Sequence, residues 1–212
     1  MTAVSAIPAL QEGIRALGLD IDPQALQGLG DYAILLERWN RTYNLTAVRE
    51  LERIVPLHLL DSLAVLPWVG DGDLLDVGSG GGLPGIPLAL VKPTLQVTLL
   101  DSNSKKSAFQ QQAAIELGLR NIRVVCARIE QFRPTMPFSR IVSRAFSELS
   151  DFVAPTRTLL APDGRWLAMK GVYPEDEIRR LPAGVVVEDV HRLVVPGVEG
   201  DRHLVVLKHD RT

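Results

Sequence analysis

The densest chemical signal in the chain is an acid followed by glycines. Residues 74–87 read Leu-Leu-Asp-Val-Gly-Ser-Gly-Gly-Gly-Leu-Pro-Gly-Ile-Pro, so Asp76 stands just ahead of Gly78, Gly80, Gly81, Gly82 and Gly85. Leu74 to Val77 reads as a buried strand and Ile86 to Val91 as the first turns of a helix. Between them the glycines form a loop whose backbone must come close to something. A strand, a glycine turn and a helix present free backbone N–H groups to a nucleotide-like ligand.

Two registers compete. Gly80, Gly82 and Gly85 satisfy the dinucleotide pattern G-x-G-x-x-G, but that register starts two residues beyond the strand end. Counted from the strand, Gly78-Ser79-Gly80-Gly81-Gly82 puts Leu83 at the sixth position. The other reading is S-adenosylmethionine binding, for which Asp76-Val77-Gly78-Ser79-Gly80 gives the acid and then glycine-x-glycine. That donor has no pyrophosphate, and glycines let the loop pack against its amino-acid part. Asp101 ends the next strand candidate and can accept both hydroxyls of a ribose, which serves either cofactor; the alternative is a helix cap or turn residue. Ile129 and Glu130 follow the third strand, where an adenine would lie. Arg144 follows the fourth, where the reacting group should arrive.

The elements that position these residues alternate. Strands are expected at Leu74–Val77, Val97–Asp101, Ile122–Cys126, Arg140–Ser143 and Arg165–Lys170, with helices at Lys105–Leu117 and Leu149–Leu160. This is the pattern of parallel βαβ units in a doubly wound sheet. Val185–Val195 and Leu204–Lys208 then follow one another with no helix between, as an antiparallel finish. A mostly parallel, seven-stranded α/β sheet with an antiparallel last strand is the class I S-adenosylmethionine-dependent methyltransferase arrangement, Rossmann-like in topology. Ahead of it the chain is helical: Leu10, Ile14 and Leu17 share one face, and Asp22-Pro23 starts a helix running to about Asn40. Ile54 to Trp68 shows a further helical period. The expected division is an N-terminal helical extension, 1–70, and a methyltransferase domain, 71–212, forming one compact unit.

Composition bounds the class. The chain has 212 residues, 46% of them hydrophobic and 23% charged, and a net charge of -2, so any nucleic-acid contact must come from a local basic face. Cys126 is the lone cysteine, which suits a reducing cytoplasm and excludes an internal disulfide. The opening Met-Thr-Ala-Val-Ser-Ala carries no leader pattern, and no apolar run reaches the ~18 residues of a membrane span. His58, His191, His203 and His209 lack zinc-like spacing, so no metal is expected. The localisation expected is cytoplasmic.

Several long motifs resemble the bacterial glucose-inhibited division protein B family. They are Trp39-Asn40-Arg41-Thr42-Tyr43-Asn44-Leu45-Thr46, His58-Leu59-Leu60-Asp61-Ser62, the run from Asp76 to Pro87, Leu100-Asp101-Ser102, Ser143-Arg144-Ala145-Phe146 and Asp201-Arg202-His203-Leu204. The resemblance spans about Leu36 to Lys208. It implies a small-subunit ribosomal RNA methyltransferase acting on N7 of guanine 527 in 16S rRNA, with S-adenosylmethionine as cofactor. The partner implied is 16S rRNA or a small-subunit precursor, with no membrane involved and the enzyme a monomer. Residue by residue, Gly78, Gly80 and Leu83 fall on the family's cofactor loop, and Asp101 on its ribose side. Ile129 and Glu130 form its adenine-side pair, and Arg144, its arginine after the fourth strand, counts with the cofactor-binding residues too.

N7 of guanine is unprotonated at neutral pH, so no general base is needed and catalysis rests on positioning and on tolerating charge. Arg144 is the candidate catalytic residue, donating to guanine O6 while leaving N7 free. Asp61 is a candidate carboxylate facing the base, and reads equally as an internal ion pair. Arg38, Arg41, Arg49, Lys105, Lys106 and Lys170 are candidate RNA contacts. Two other functions compete: a small-molecule methyltransferase of the same fold, and a nucleotide-binding module without catalysis.

Overall fold

The computed structural model describes residues 3–210; the ends of the chain, including the first two residues of the opening stretch read above, lie outside the described residues. Seven strands form one sheet: β1 (Asp73–Val77), β2 (Gln96–Asp101), β3 (Ile122–Cys126), β4 (Phe138–Ser143), β5 (Leu160–Lys170), β6 (Val185–Arg192) and β7 (His203–His209). Their order is β3-β2-β1-β4-β5-β7-β6. β1 to β5 are parallel, whereas β7 lies antiparallel between β5 and β6. The chain leaves β1 toward β2 on one side and returns to β4 on the other. The crevice at that reversal, outside the carboxyl ends of β1 and β4, is where ligands bind in such sheets.

Strand alternation divides the interior into two cores. Leu74, Val97 and Leu99 point to one face, and Leu75, Leu100 and Ile141 to the other. The first face is covered by α1 (Ala3–Ala16), α2 (Pro23–Tyr43), α6 (Gly85–Val91) and α7 (Ser104–Glu116), through Leu10, Leu29, Leu36, Ile86, Phe109 and Ala113. The second is covered by α8 (Leu149–Thr156), through Leu149, Phe152 and Val153. The helices of the N-terminal extension therefore share a hydrophobic cluster with the strands.

Asp22 caps α2 by accepting the Gln24 N–H at 2.7 Å, and Pro23 occupies its first turn, as the Asp22-Pro23 pair predicts. The helix runs past Asn40 to Tyr43 and stops at Asn44, which adopts the left-handed conformation at φ 49°. The 54–68 stretch differs more. It is divided into α3 (Leu51–Ile54), a π-helical segment (Val55–Leu60), α4 (Asp61–Leu63) and α5 (Leu66–Val69). Pro56 has no N–H for the i→i−4 ladder, and the chain widens by a residue instead of breaking. The expected strand 185–195 ends at Arg192, β5 starts five residues ahead of Arg165, and a short α9 (Glu175–Arg179) follows it.

Candidate active site

The glycine loop is held from three sides. Gly78, Gly80 and Gly82 all have positive φ, at 69°, 56° and 84°, which L side chains rarely adopt. A Cβ on Gly78 would lie 2.7 Å from the Ala145 Cβ, so the loop after β1 can pass the loop after β4 only without a side chain. From β2, Asp101 Oδ2 accepts the Gly80 N–H at 2.8 Å. From α7, the buried Gln110 donates through Nε2 to Ser79 Oγ at 2.9 Å and to the Gly80 carbonyl at 2.7 Å. From α2, the Tyr32 hydroxyl donates to the Gly81 carbonyl at 2.6 Å. Gln110 and Tyr32 have no motif of their own, and sequence reasoning missed both.

Beneath the loop, Asp76 is fully buried. Its Oδ2 accepts the Gly85 N–H at 2.8 Å, while Oδ1 has no hydrogen-bond partner among the described residues. Burial pushes its carboxyl up to about 7, against the opposing pull of the Gly85 hydrogen bond and of Arg144. Leu83 sits in the core under the loop, its N–H bonded to the Ser79 carbonyl at 2.9 Å.

Four of the sequence candidates, Gly78, Asp101, Ile129 and Glu130, line a cleft of about 360 Å³ together with Lys106, Ala145 and Phe146; Gly80, Leu83 and Arg144 are not part of its lining. Lys106, expected on an RNA-facing surface, thus stands at this cleft. Asp101 is well prepared for a diol: Oδ2 holds Gly80 and Oδ1 accepts the Asn103 N–H at 2.8 Å, so each oxygen keeps a second lone pair. Nothing stands within 3.9 Å of where a Gly80 side chain would project. A bare glycine wall, a held carboxylate and the apolar Ile129 and Phe146 suit a nucleoside with an amino-acid tail, so the residues present fit S-adenosylmethionine.

Arg144 faces a second cleft, of about 330 Å³, lined by Leu57, Asp61, Lys170, Arg202 and His203 among others. Because Arg144 lines one cleft and Ala145 the other, the two share a wall. Arg144 Nη1 donates to the Leu57 carbonyl at 3.2 Å and to Asp61 Oδ2 at 3.1 Å. Arg202 Nε lies 3.3 Å from Asp61 Oδ1, at ion-pair distance but without hydrogen-bond geometry. Asp61, a candidate to face the base, lines this cleft and stands between the two arginines, so the ion pair of its other reading is present. Lys170 Nζ is engaged by Glu177 at 2.8 Å and by the Ser147 carbonyl at 2.6 Å.

The other basic candidates are dispersed. Arg38 pairs with Glu116 at 3.3 Å and Arg41 with Glu37 at 2.9 Å, both on the surface, while Arg49 donates to Asn44 Oδ1 at 3.2 Å. Lys105 lies exposed in the first turn of α7. Among the described residues, no group of three His, Cys, Asp or Glu side chains is placed to hold a metal ion, and no helix is long and apolar enough to cross a membrane.

A family model described as rRNA small subunit methyltransferase G (GidB) matches residues 25–205. The ribosomal RNA small subunit methyltransferase G of Aromatoleum aromaticum is 55% identical over 206 residues, covering 95% of this chain and 98% of that one. Its counterpart in Chromobacterium violaceum is 53% identical over 197 residues, covering 92% and 94%. Among solved structures, the glycopeptide N-methyltransferase MtfA complexed with S-adenosyl-L-methionine superposes with a TM-score of 0.63 at 14% identity, over 72% of this chain and 87% of that one, a likeness of fold alone.

Proposed function

The chain belongs to the rRNA small subunit methyltransferase G family, and on that premise we propose that it methylates N7 of guanine 527 in 16S ribosomal RNA. The observation that carries this reading is the shared wall at Arg144-Ala145, which sets a cleft suited to the methyl donor beside a basic cleft suited to a nucleotide. Bound in the first cleft, S-adenosylmethionine supplies an electrophilic methyl group on a sulfonium. Gly78, Gly80, Asp101, Ile129 and Glu130 hold the donor, and Leu83 supports the loop from below.

The chain's own task is then orientation. Among the described residues Arg144 makes its hydrogen bonds, to the Leu57 carbonyl and Asp61, through Nη1, which leaves Nε and Nη2 to donate to guanine O6. The same arginine must leave N7 free, so it does not use its usual two-point contact to O6 and N7. No side chain needs to remove a proton. Asp61, Arg202 and Lys170 set the charge of the cleft, and the first is the counter-charge that keeps two arginines together. The helical extension, 1–70, works as one unit with the domain of 71–212, a reading supported by the common core and by the Tyr32 bond to the loop. The protein acts in the cytoplasm as a monomer on RNA within the small subunit or its precursor.

Transfer of labelled methyl from S-adenosylmethionine tests the reading, with 30S particles, naked 16S RNA and a small-molecule panel offered side by side. Label at a single guanine N7 of the RNA is expected. Label on the small molecules alone, or on no acceptor, would overturn it.

A further inference from the structure

The two motifs ahead of the sheet, Asn40 to Thr46 and His58 to Asp61, have no part in the donor cleft, yet they form one hydrogen-bonded chain that ends on Arg144. At its far end Asn40, nearly buried at the close of α2, donates through Nδ2 to the Val48 carbonyl at 2.9 Å. Its Oδ1 accepts the Thr46 N–H at 2.9 Å. The Thr46 hydroxyl accepts the Val48 N–H at 3.1 Å and lies 2.7 Å from His58 Nε2. His58 Nδ1 lies 2.8 Å from the Leu57 carbonyl. A carbonyl only accepts, so Nδ1 carries the hydrogen, Nε2 keeps its lone pair, and Thr46 donates to it. The Leu57 carbonyl therefore takes two donors, His58 Nδ1 and Arg144 Nη1.

The backbone that carries these groups is the π-helical segment, which ends at Leu60, one residue before Asp61. A π turn is a local widening of the helix that occurs frequently at functional sites. Here it brings the Leu57 carbonyl and the Asp61 carboxylate onto the same guanidinium nitrogen. Burial and the nearby Arg144 charge hold His58 down to about 4, so the ring stays neutral and keeps the single arrangement its partners require. A cationic ring 3.4 Å from Arg144 would press the guanidinium away from its seat.

We propose that Thr46 and His58 are positioning residues for methyl transfer, fixing the π-helical segment so that Leu57 and Asp61 aim the Arg144 guanidinium into the acceptor cleft. The inference rests on the reading of the chain as an RNA methyltransferase. Neither residue touches donor or acceptor. Their effect passes through Arg144, so it falls on turnover and leaves the donor's affinity alone.

The test uses the full chain with 30S particles, comparing wild type with Thr46→Val, Thr46→Ser and His58→Gln. Donor affinity is read by calorimetry, turnover from saturated RNA, and the His58 tautomer from nitrogen-15 shifts of the ring. Thr46→Val keeps the shape and removes the hydroxyl. It should lower kcat about tenfold or more, shift the His58 ring signals, and leave the Kd for S-adenosylmethionine within about twofold. Thr46→Ser, which restores the hydroxyl, should recover most of the loss in kcat. His58→Gln should match Thr46→Val, and it decides the matter should the valine variant not fold. A folded variant with wild-type kcat, or a loss that appears equally in donor affinity, would overturn the proposal. Failure of the wild type itself to label RNA would instead show that the underlying functional reading is wrong, and the positioning role would fall with it.

Discussion

Asp101 Oδ2 accepts the Gly80 N–H at 2.8 Å, so the carboxylate that ends β2 and the loop that follows β1 are a single rigid piece. The same carboxylate holds the Asn103 N–H through its other oxygen. The acid is thus fixed in place before any ligand arrives, and little ordering is left for binding to accomplish.

Asp101→Asn should weaken S-adenosylmethionine binding about 10- to 100-fold, the range for losing a hydrogen bond to a charged acceptor. One backbone N–H would also face an amide donor and loosen the glycine loop. Calorimetric titration of the folded variant measures this; an unchanged Kd would remove Asp101 from the donor site.

Tyr32→Phe isolates the link between the helical extension and the loop. The hydroxyl bond to the Gly81 carbonyl is the only thing the substitution deletes, and the carbonyl is buried. A cost of about 1–2 kcal/mol is expected, read as a shift in the urea midpoint. Because the bond braces the loop, the donor Kd should rise as well. A stability loss with unchanged affinity would show that the extension supports the fold without tuning the site.

The donor side of the site was legible because its chemistry is local to strand ends. Asp101 ends a strand, Gly78, Ile129 and Glu130 each come after one, and a parallel sheet brings such positions together whatever else the chain does. The sheet itself was legible for the same reason, including the antiparallel finish, since β6 and β7 have no helix between them. Gln110 was not legible: it stands in a run of three glutamines, and only the packing of α7 decides which one is buried. Arg202 and Tyr32 were hidden by distance in sequence, because each acts on a group contributed by another element. The division of 54–68 was hidden by a sound apolar period, which does not record that Pro56 removes a ladder donor.

Arg144→Lys and Arg144→Ala separate charge from geometry. Lysine keeps the charge but not the planar fork that reaches Leu57 and Asp61 through one nitrogen and presents others to the acceptor. Both should reduce kcat/KM for RNA, by roughly 100-fold for alanine, the loss expected of one charged hydrogen bond in a closed site. The lysine variant should fall between alanine and wild type. Donor affinity should change less than about threefold, because Arg144 lines the neighbouring cleft. Steady-state methylation combined with donor calorimetry distinguishes these effects; a large loss of donor affinity would place Arg144 in both sites.

Asp76 makes the stability of the protein depend on pH in an unusual direction. Its carboxyl is raised from the ordinary 3.8 to about 7 by burial. Between those values the folded protein binds the proton that the unfolded chain releases, so this residue's contribution to stability falls as pH rises and levels off above about 7. His58, held down to about 4, works in the opposite sense, losing stability as pH falls below 6.5. The two slopes overlap and mask one another in the wild type. Asp76→Asn removes one of them. Its amide oxygen can still accept from Gly85, while its NH2 replaces the unpartnered Oδ1 and costs stability at every pH. Relative to wild type, the variant should therefore gain about 2–3 kcal/mol between pH 5 and pH 8, whatever its absolute stability. Urea unfolding of both proteins across that range gives the difference directly, and His58 cancels from it. A flat difference would mean that Asp76 keeps an ordinary carboxylate pKa, and that its unpartnered oxygen is solvated in solution.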